Sequence, residues 1–254
     1  MNMREMIKVV NLAKRFNELW AVRELNLEIG EGEIFTFLGP NGAGKTTTIK
    51  LLTGLLKPTT GKVFLGGYDL EKERLQALRL VSYISDQPYL YDKLSGREFL
   101  KFIGELYLVK NIRERLEELL KTFELTEVGD RLIEDYSHGM RQKLIFAASL
   151  LHDPRCIIID EPMVGLDPKS VRLVKDILRR QAGEGVTIFL STHTLSLAEE
   201  LASRIGIIDQ GRLIALGTLA ELKARAKEAG HLEDIFLELT TTTESDIISG
   251  IDKV

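Results

Sequence analysis

The chain has 254 residues, 44% of them hydrophobic and 28% charged, with a formal net charge of -4. Such a length buries a sizeable core and fits one large domain, alone or carrying an inserted lobe, while the composition excludes disordered and collagen-like chains. Acidic and basic residues are interspersed without a basic stripe, so no nucleic acid partner is expected.

The opening residues, Met1-Asn2-Met3-Arg4-Glu5-Met6, lack the apolar core and cleavage site of a signal peptide, which predicts a cytosolic chain. Apolar runs such as 144–151 fall well short of the ~20 residues that cross a bilayer, so any membrane work needs a partner. Segments 7–12 and 25–29 read as short strands of an antiparallel edge, separated by a polar turn region that holds Phe16 and Trp20. Residues 34–38 form an apolar strand running into glycine-rich sequence, and 46–52 has the composition of a helix. Pro58-Thr59-Thr60-Gly61 is a turn, with strands predicted at 62–65 and 81–85.

From 88 to 151 the pattern becomes helical, with Ser95 and Glu98 spaced as a capping box and amphipathic spacing over 112–123. Beyond this lobe, strands at 156–160, 186–191 and 205–209 alternate with helices at 168–181 and 195–202, which implies a parallel sheet. Gln210-Gly211 offers a hairpin turn into 212–216, and Thr218 caps a last helix ending near Gly230. The single cysteine, Cys156, lies in the apolar run Cys156-Ile157-Ile158-Ile159, so no intramolecular disulfide forms and a buried strand residue is expected. The fold class is α/β: a mainly parallel sheet, an N-terminal antiparallel β subdomain and an inserted α-helical lobe.

The glycine-rich segment Gly39-Pro40-Asn41-Gly42-Ala43-Gly44-Lys45-Thr46, followed by Thr47, fits a phosphate-binding loop and sits between a strand and a helix, as that loop requires. Its glycines let main-chain amides turn inward around phosphates, and the helix N-terminus adds partial positive charge. Lys45 would neutralise phosphate oxygens, and the Thr46 hydroxyl would take a place on Mg²⁺. The strand Cys156-Ile157-Ile158-Ile159-Asp160 delivers Asp160 and Glu161 to its C-terminal end, where ligands gather in open α/β sheets. Asp160 would hold Mg²⁺ through a water, and Glu161 would polarise the attacking water.

Gln87, after the strand 81–85, could offer an amide oxygen to the cation, or be an ordinary loop residue. His193 lies beyond another strand end and could meet a γ-phosphate, or be a surface histidine. Ser137-His138-Gly139-Met140-Arg141-Gln142 opens a helix, which alone suggests either an anion site or a plain capped start. Gly165-Leu166-Asp167-Pro168 is equally double-edged, since Asp at the cap followed by Pro begins many helices.

Taken together and in this order, these segments resemble the ATP-binding subunits of ABC transporters over roughly residues 7–239. The phosphate loop matches 39–47, the glutamine loop Gln87, the paired-acid strand 156–161, the signature 137–142, the aspartate loop 165–167 and the switch histidine His193. The resemblance implies a P-loop NTPase core, with one ABC ATPase domain at 5–240. Its core would be 5–87 and 152–240, its lobe 88–151, and its polar tail 241–254. It implies ATP with Mg²⁺, and Phe16 stacking on adenine, with Trp20 as the alternative. It also implies a head-to-tail dimer, homodimeric or formed with a paralogue, in which Ser137 and Gly139 of one subunit close over the partner's nucleotide and Asp167 joins the interface.

A membrane-spanning permease would meet the chain near the aromatic, apolar stretch 89–94, which core packing would equally explain, placing the chain peripherally on the cytoplasmic face of the membrane. The family's usual signature is Ser-Gly-Gly-Gln; here His138 replaces the first glycine and Met140 the glutamine. Signatures of this form, the wording of 160–167 and the closing 232–236 resemble the ABC-2-type exporter branch. A soluble ABC-class ATPase acting on ribosomes or chromosomes is the alternative, although such proteins usually carry two cassettes or a long coiled-coil insertion. A GTP-binding switch would need an Asn-Lys-x-Asp segment, which the sequence lacks.

Overall fold

In this computed structural model residues 4–87, 89–161, 163, 165–225 and 236 are described, so the closing 232–235, the tail 241–254 and the run toward Gly230 lie outside the described residues. β1 (Glu5–Phe16) and β2 (Leu19–Gly30) form a long antiparallel hairpin whose turn is only Asn17 and Glu18. Phe16 and Trp20, expected in a turn region, therefore stand in strands, paired with Leu19 and Arg15. Register shifts between Val9 and Leu12, and again near Lys14, interrupt the alternation, and Asn11 and Glu24 take positive φ. Such bulges hide a twelve-residue strand from a period-two reading. With β4 (Thr60–Leu65) and β5 (Tyr68–Asp69), the hairpin completes a four-stranded sheet of order β2-β1-β4-β5.

The second sheet collects β3 (Ile34–Leu38), β6 (Val81–Ile84), β7 (Cys156–Asp160), β8 (Thr187–Thr192), β9 (Arg204–Asp209) and β10 (Arg212–Gly217) in the order β10-β9-β3-β8-β7-β6. All its pairings are parallel except β9 with β10, the hairpin foreseen at Gln210-Gly211. Every residue of β3, β7 and β8 is buried, as parallel strands covered on both faces require. Alternate side chains divide between two cores. Ile157 and Ile159 pack toward the helices, whereas Cys156 and Ile158 pack toward the antiparallel sheet. Phe189 lies 5.6 Å, centroid to centroid, from both Phe35 and Phe37 and fills the second core.

Helices α1 (Lys45–Leu52) and α2 (Arg74–Arg79) follow β3 and β5. The sequence pattern missed α2 and β5, because α2 buries only Ala77 and so carries no periodic stripe. The helical lobe between β6 and β7 contains α3 (Gly96–Leu106), α4 (Ile112–Thr122) and α5 (His138–Ser149). α3 begins with the expected capping box: Ser95 Oγ accepts from Glu98 N at 3.2 Å, and Glu98 accepts from Ser95 N at 2.8 Å. The strip 92–97 is stitched to 129–134 by main-chain hydrogen bonds, Glu134 N to Asp92 O (3.1 Å), Ile133 N to Leu94 O (2.9 Å) and Arg97 N to Gly129 O (2.9 Å). Arg141, one turn into α5, adds an ion pair to Asp92 at 2.8 Å. After β7 come α6 (Pro168–Gly183), α7 (Leu195–Leu201) and α8 (Leu219–Arg225). Among the described residues no helix is long and apolar enough to cross a membrane.

Candidate active site

The strand β3 ends where the chain must turn through glycines before α1. Gly44 caps α1 at φ +106°, and a Cβ there would stand 2.3 Å from Ala21 O. A Cβ on Gly39 would stand 2.3 Å from Ile208 O, so the loop is packed backbone against backbone. Lys45, only 7% exposed, folds back across the loop and donates from Nζ to Gly39 O (2.7 Å) and Pro40 O (2.9 Å). Burial lowers its pKa, against the opposing pull of Glu161 and Asp160. A desolvated ammonium tied only to neutral carbonyls gains most from an incoming polyanion.

Asp160 and Glu161 leave β7 beside the end of β8, whose register sets Ser191 directly opposite Asp160. Ser191 donates its hydroxyl to Asp160 Oδ1, while Oδ2, buried, has no hydrogen-bond partner. Glu161, at φ +48°, turns its carboxylate toward the following residues of β8 and beyond. Its Oε1 accepts from His193 N at 3.1 Å and lies 2.7 Å from His193 Nδ1, and its Oε2 accepts from Thr192 Oγ1 at 3.3 Å.

Lys45, Asp160 and Glu161 line one cleft of about 690 Å³, together with Phe16, Trp20, Asn41, Gly42, Gly44, Thr46 and Thr47. Gly39 and Ala43 shape the loop from behind: Gly39 N donates to Thr192 O, and Ala43 O accepts from Gly211 N. The sequence reading missed Arg23, Asp86 and Gln210, which also form the wall. Gln210 was visible only as a hairpin residue; the sheet order that brings β9 and β10 beside β3 turns it into part of the site. Gln87 follows Asp86 but does not line the cleft, and His193 lines a neighbouring cleft of about 320 Å³ with Glu161.

Ser137, Gly139 and Asp167 are not in this cleft but stand together. Ser137 Oγ accepts from Met140 N at 3.3 Å, Asp167 caps α6 through Lys169 N and Ser170 N, and a Cβ on Gly139 would lie 3.8 Å from Asp167 Oδ2. No cluster of three His, Cys, Asp or Glu side chains able to hold a metal exists among the described residues. A hard cation here would therefore rest on hydroxyl, amide and carboxylate oxygens together with those of a ligand, and the orphaned Asp160 Oδ2 fits that donor set.

The ABC transporter family model matches residues 22–164. The chain belongs to this family. Similar proteins include the daunorubicin/doxorubicin resistance ATP-binding protein of Streptomyces peucetius, 41% identical over 86% of this chain and 67% of that one. The bacitracin transport ATP-binding protein of Bacillus licheniformis is 36% identical over 89% of this chain and 74% of its own. Among solved structures, an ATP-binding subunit of an ABC transporter superposes with a TM-score of 0.87 at 31% identity, covering 92% of this chain and 99% of that one. As an ABC ATP-binding subunit, the chain binds ATP and is an ATPase. The fold of the family accounts for the two sheets: the parallel one carries the phosphate loop and the paired acids, and the antiparallel one carries Phe16 and Trp20 to the same cleft.

Proposed function

We propose that the chain drives export of the ABC-2 type, as the ATP-hydrolysing subunit beneath a separate membrane-spanning permease. The observation that carries the catalytic part is the Glu161 carboxylate, mostly buried at the end of β7 and held by His193 and Thr192 beside the phosphate loop. Lys45 and the amides around Asn41, Gly42, Ala43, Gly44 and Thr47 bind the phosphates, and Phe16 takes the adenine. Thr46 and, through water, Asp160 would hold Mg²⁺, which when bound neutralises phosphate charge, and Gln87, outside the cleft here, would have to move inward to join them. Glu161 then orients a water and accepts its proton as the water's oxygen bonds to the γ-phosphorus and the bond to ADP breaks. His193, donating to Glu161 from its main chain, keeps that carboxylate aimed.

In this reading two subunits, identical or paralogous, pair head to tail around two ATP molecules. Ser137 and Gly139 of one close over the nucleotide on the other, with Asp167 beside them. Residues 5–240 act as one ABC ATPase domain with the lobe at 88–151. The permease meets the chain near residues 89–94, on the cytoplasmic face of the membrane. Supporting this contact, Tyr89 is 84% exposed beside a groove of about 380 Å³ that Leu55, Tyr83, Tyr107 and His152 also line. Relatives named for drug resistance and for bacitracin transport favour export over a soluble role on ribosomes or chromosomes.

Co-expression with a candidate multi-span permease tests the assignment. The two should co-purify in detergent, and the ATPase rate of the pair should fall to background when Glu161 is replaced by Gln. Co-sedimentation with ribosomes from a native extract, with no membrane association, would overturn it.

A further inference from the structure

His138 stands where the family's usual signature has glycine, and its imidazole is placed specifically. Gly165, at φ +77°, has no side chain, and the space a Cβ would take there is filled by that ring: Nε2 at 2.3 Å and Cδ2 at 2.4 Å from the ideal Cβ position. The contact joins the first turn of α5 to the turn that ends in Asp167. One further observation ties the same two segments, and a second fixes Asp167 within its own. Gly139 lies against Asp167, its ideal Cβ 3.8 Å from Oδ2, and Asp167 is itself fixed by Ser170 Oγ at 2.6 Å as well as by the Lys169 and Ser170 amides. Gly165 also lies four residues after Glu161, so whatever braces it braces the far end of the segment leaving the catalytic carboxylate.

We propose that His138 is a positioning residue for ATP hydrolysis: its ring, seated on Gly165, sets Ser137-Gly139 and Asp167 at one fixed spacing, so that a subunit presents both to its partner's nucleotide as a single rigid surface. A glycine at position 138 leaves that seat empty and lets the two segments move independently. The inference rests on the head-to-tail reading above. It assigns the ring no contact with nucleotide, so its loss acts on the rate of turnover and spares the subunit's own phosphate loop.

The experiment is a double-mutant cycle on the full chain, with steady-state ATPase and nucleotide titration for each variant. His138→Gly should lower kcat by about tenfold while the KM for ATP stays within about twofold, as expected when reacting groups are displaced without loss of ground-state binding. His138→Gln, which keeps a planar polar group of similar reach, should recover most of that rate. Gly165→Ala drives a methyl into the ring and should be at least as impaired; adding His138→Gly should return part of its activity, the non-additivity expected of two residues in contact.

Unchanged kcat in His138→Gly, or losses in the two single variants that simply multiply in the double, would overturn the proposal. If His138→Gly or Gly165→Ala fails to fold, His138→Gln against wild type still decides: a kcat within about twofold of wild type is expected, and a loss of about tenfold would overturn the proposal. ATP-dependent dimerisation of Glu161→Gln separates the two levels. If that variant stays monomeric with Mg-ATP, the head-to-tail reading fails; if it dimerises and His138→Gly is silent, only this inference fails.

Discussion

Glu161 and His193 are joined twice, since the carboxylate oxygen Oε1 lies 2.7 Å from His193 Nδ1 and accepts the His193 main-chain amide at 3.1 Å. One bond depends on the imidazole and the other does not. Glu161→Gln should therefore lower turnover by about 10²–10⁴-fold, the range of a general base, while retaining Mg-ATP and accumulating an ATP-bound dimer. His193→Ala should cost less, because the amide still holds the carboxylate. Phosphate release and gel filtration with ATP check both; near wild-type turnover by Glu161→Gln would refute the assignment.

Lys45 has no substitute in the phosphate loop. Lys45→Met should weaken Mg-ATP binding by about 10–100-fold, the loss expected for charge-assisted hydrogen bonds. Trp20, the sole tryptophan, lines the cleft, so its fluorescence reports the titration directly. Gly44→Ala, forced to φ +106° with its methyl against Ala21 O, should destabilise the fold by about 2 kcal/mol or more, read as a lowered Tm.

Phe16 and Trp20 both face the cleft, with Lys14 over the Phe16 ring at 5.1 Å and Arg15 over Trp20 at 5.6 Å. Phe16→Ala should raise the Kd for ATP by about 5–150-fold, the equivalent of ~1–3 kcal/mol for a stacked base. Trp20→Ala should change it by less than about threefold on the same reasoning. Isothermal titration ranks the two, and the reverse order would make Trp20 the adenine platform.

His152 makes stability depend on pH. Its ring stacks on Tyr107 at 3.9 Å, and neither ring nitrogen has a hydrogen-bond partner. Burial pushes its pKa below the ordinary 6.5, against weaker upward pulls from the Val81 main chain and from Asp153. The unfolded chain then binds the proton first as pH falls. The contribution is complete above about pH 6.5 and is lost progressively below it, toward the lower folded-state pKa. Wild-type Tm should drop between pH 7.5 and 5.5, and His152→Phe, which keeps the stack, should drop less.

Much of this was legible in the residues. Strand β3 was placed to the residue and β7 likewise, because a run of apolar side chains closed by glycines or acids has few other readings. The phosphate loop and the paired acids followed from chemistry that needs those residue types in that order. What stayed hidden depends on contacts distant in sequence. Ser191 as the partner of Asp160 emerges only once β7 and β8 are in register, and Arg23 and Gln210 join the wall only because the hairpins bring them there. The long first hairpin was hidden by its own irregularity, with Asn11 and Asn26 hydrogen-bonded across the bulge where an alternating pattern would continue.

The seam between 92–97 and 129–134 is made of main-chain hydrogen bonds, which do not depend on which side chains the two strips carry. Tyr89 and Tyr91 stand just before it and Ser137 just after it. The aromatic surface can therefore be recut without disturbing the main-chain seam, to which residue identity adds the ion pairs Lys93–Glu134, Arg97–Asp130 and Arg141–Asp92. The way the lobe is sewn together lets one end change while the other holds its course.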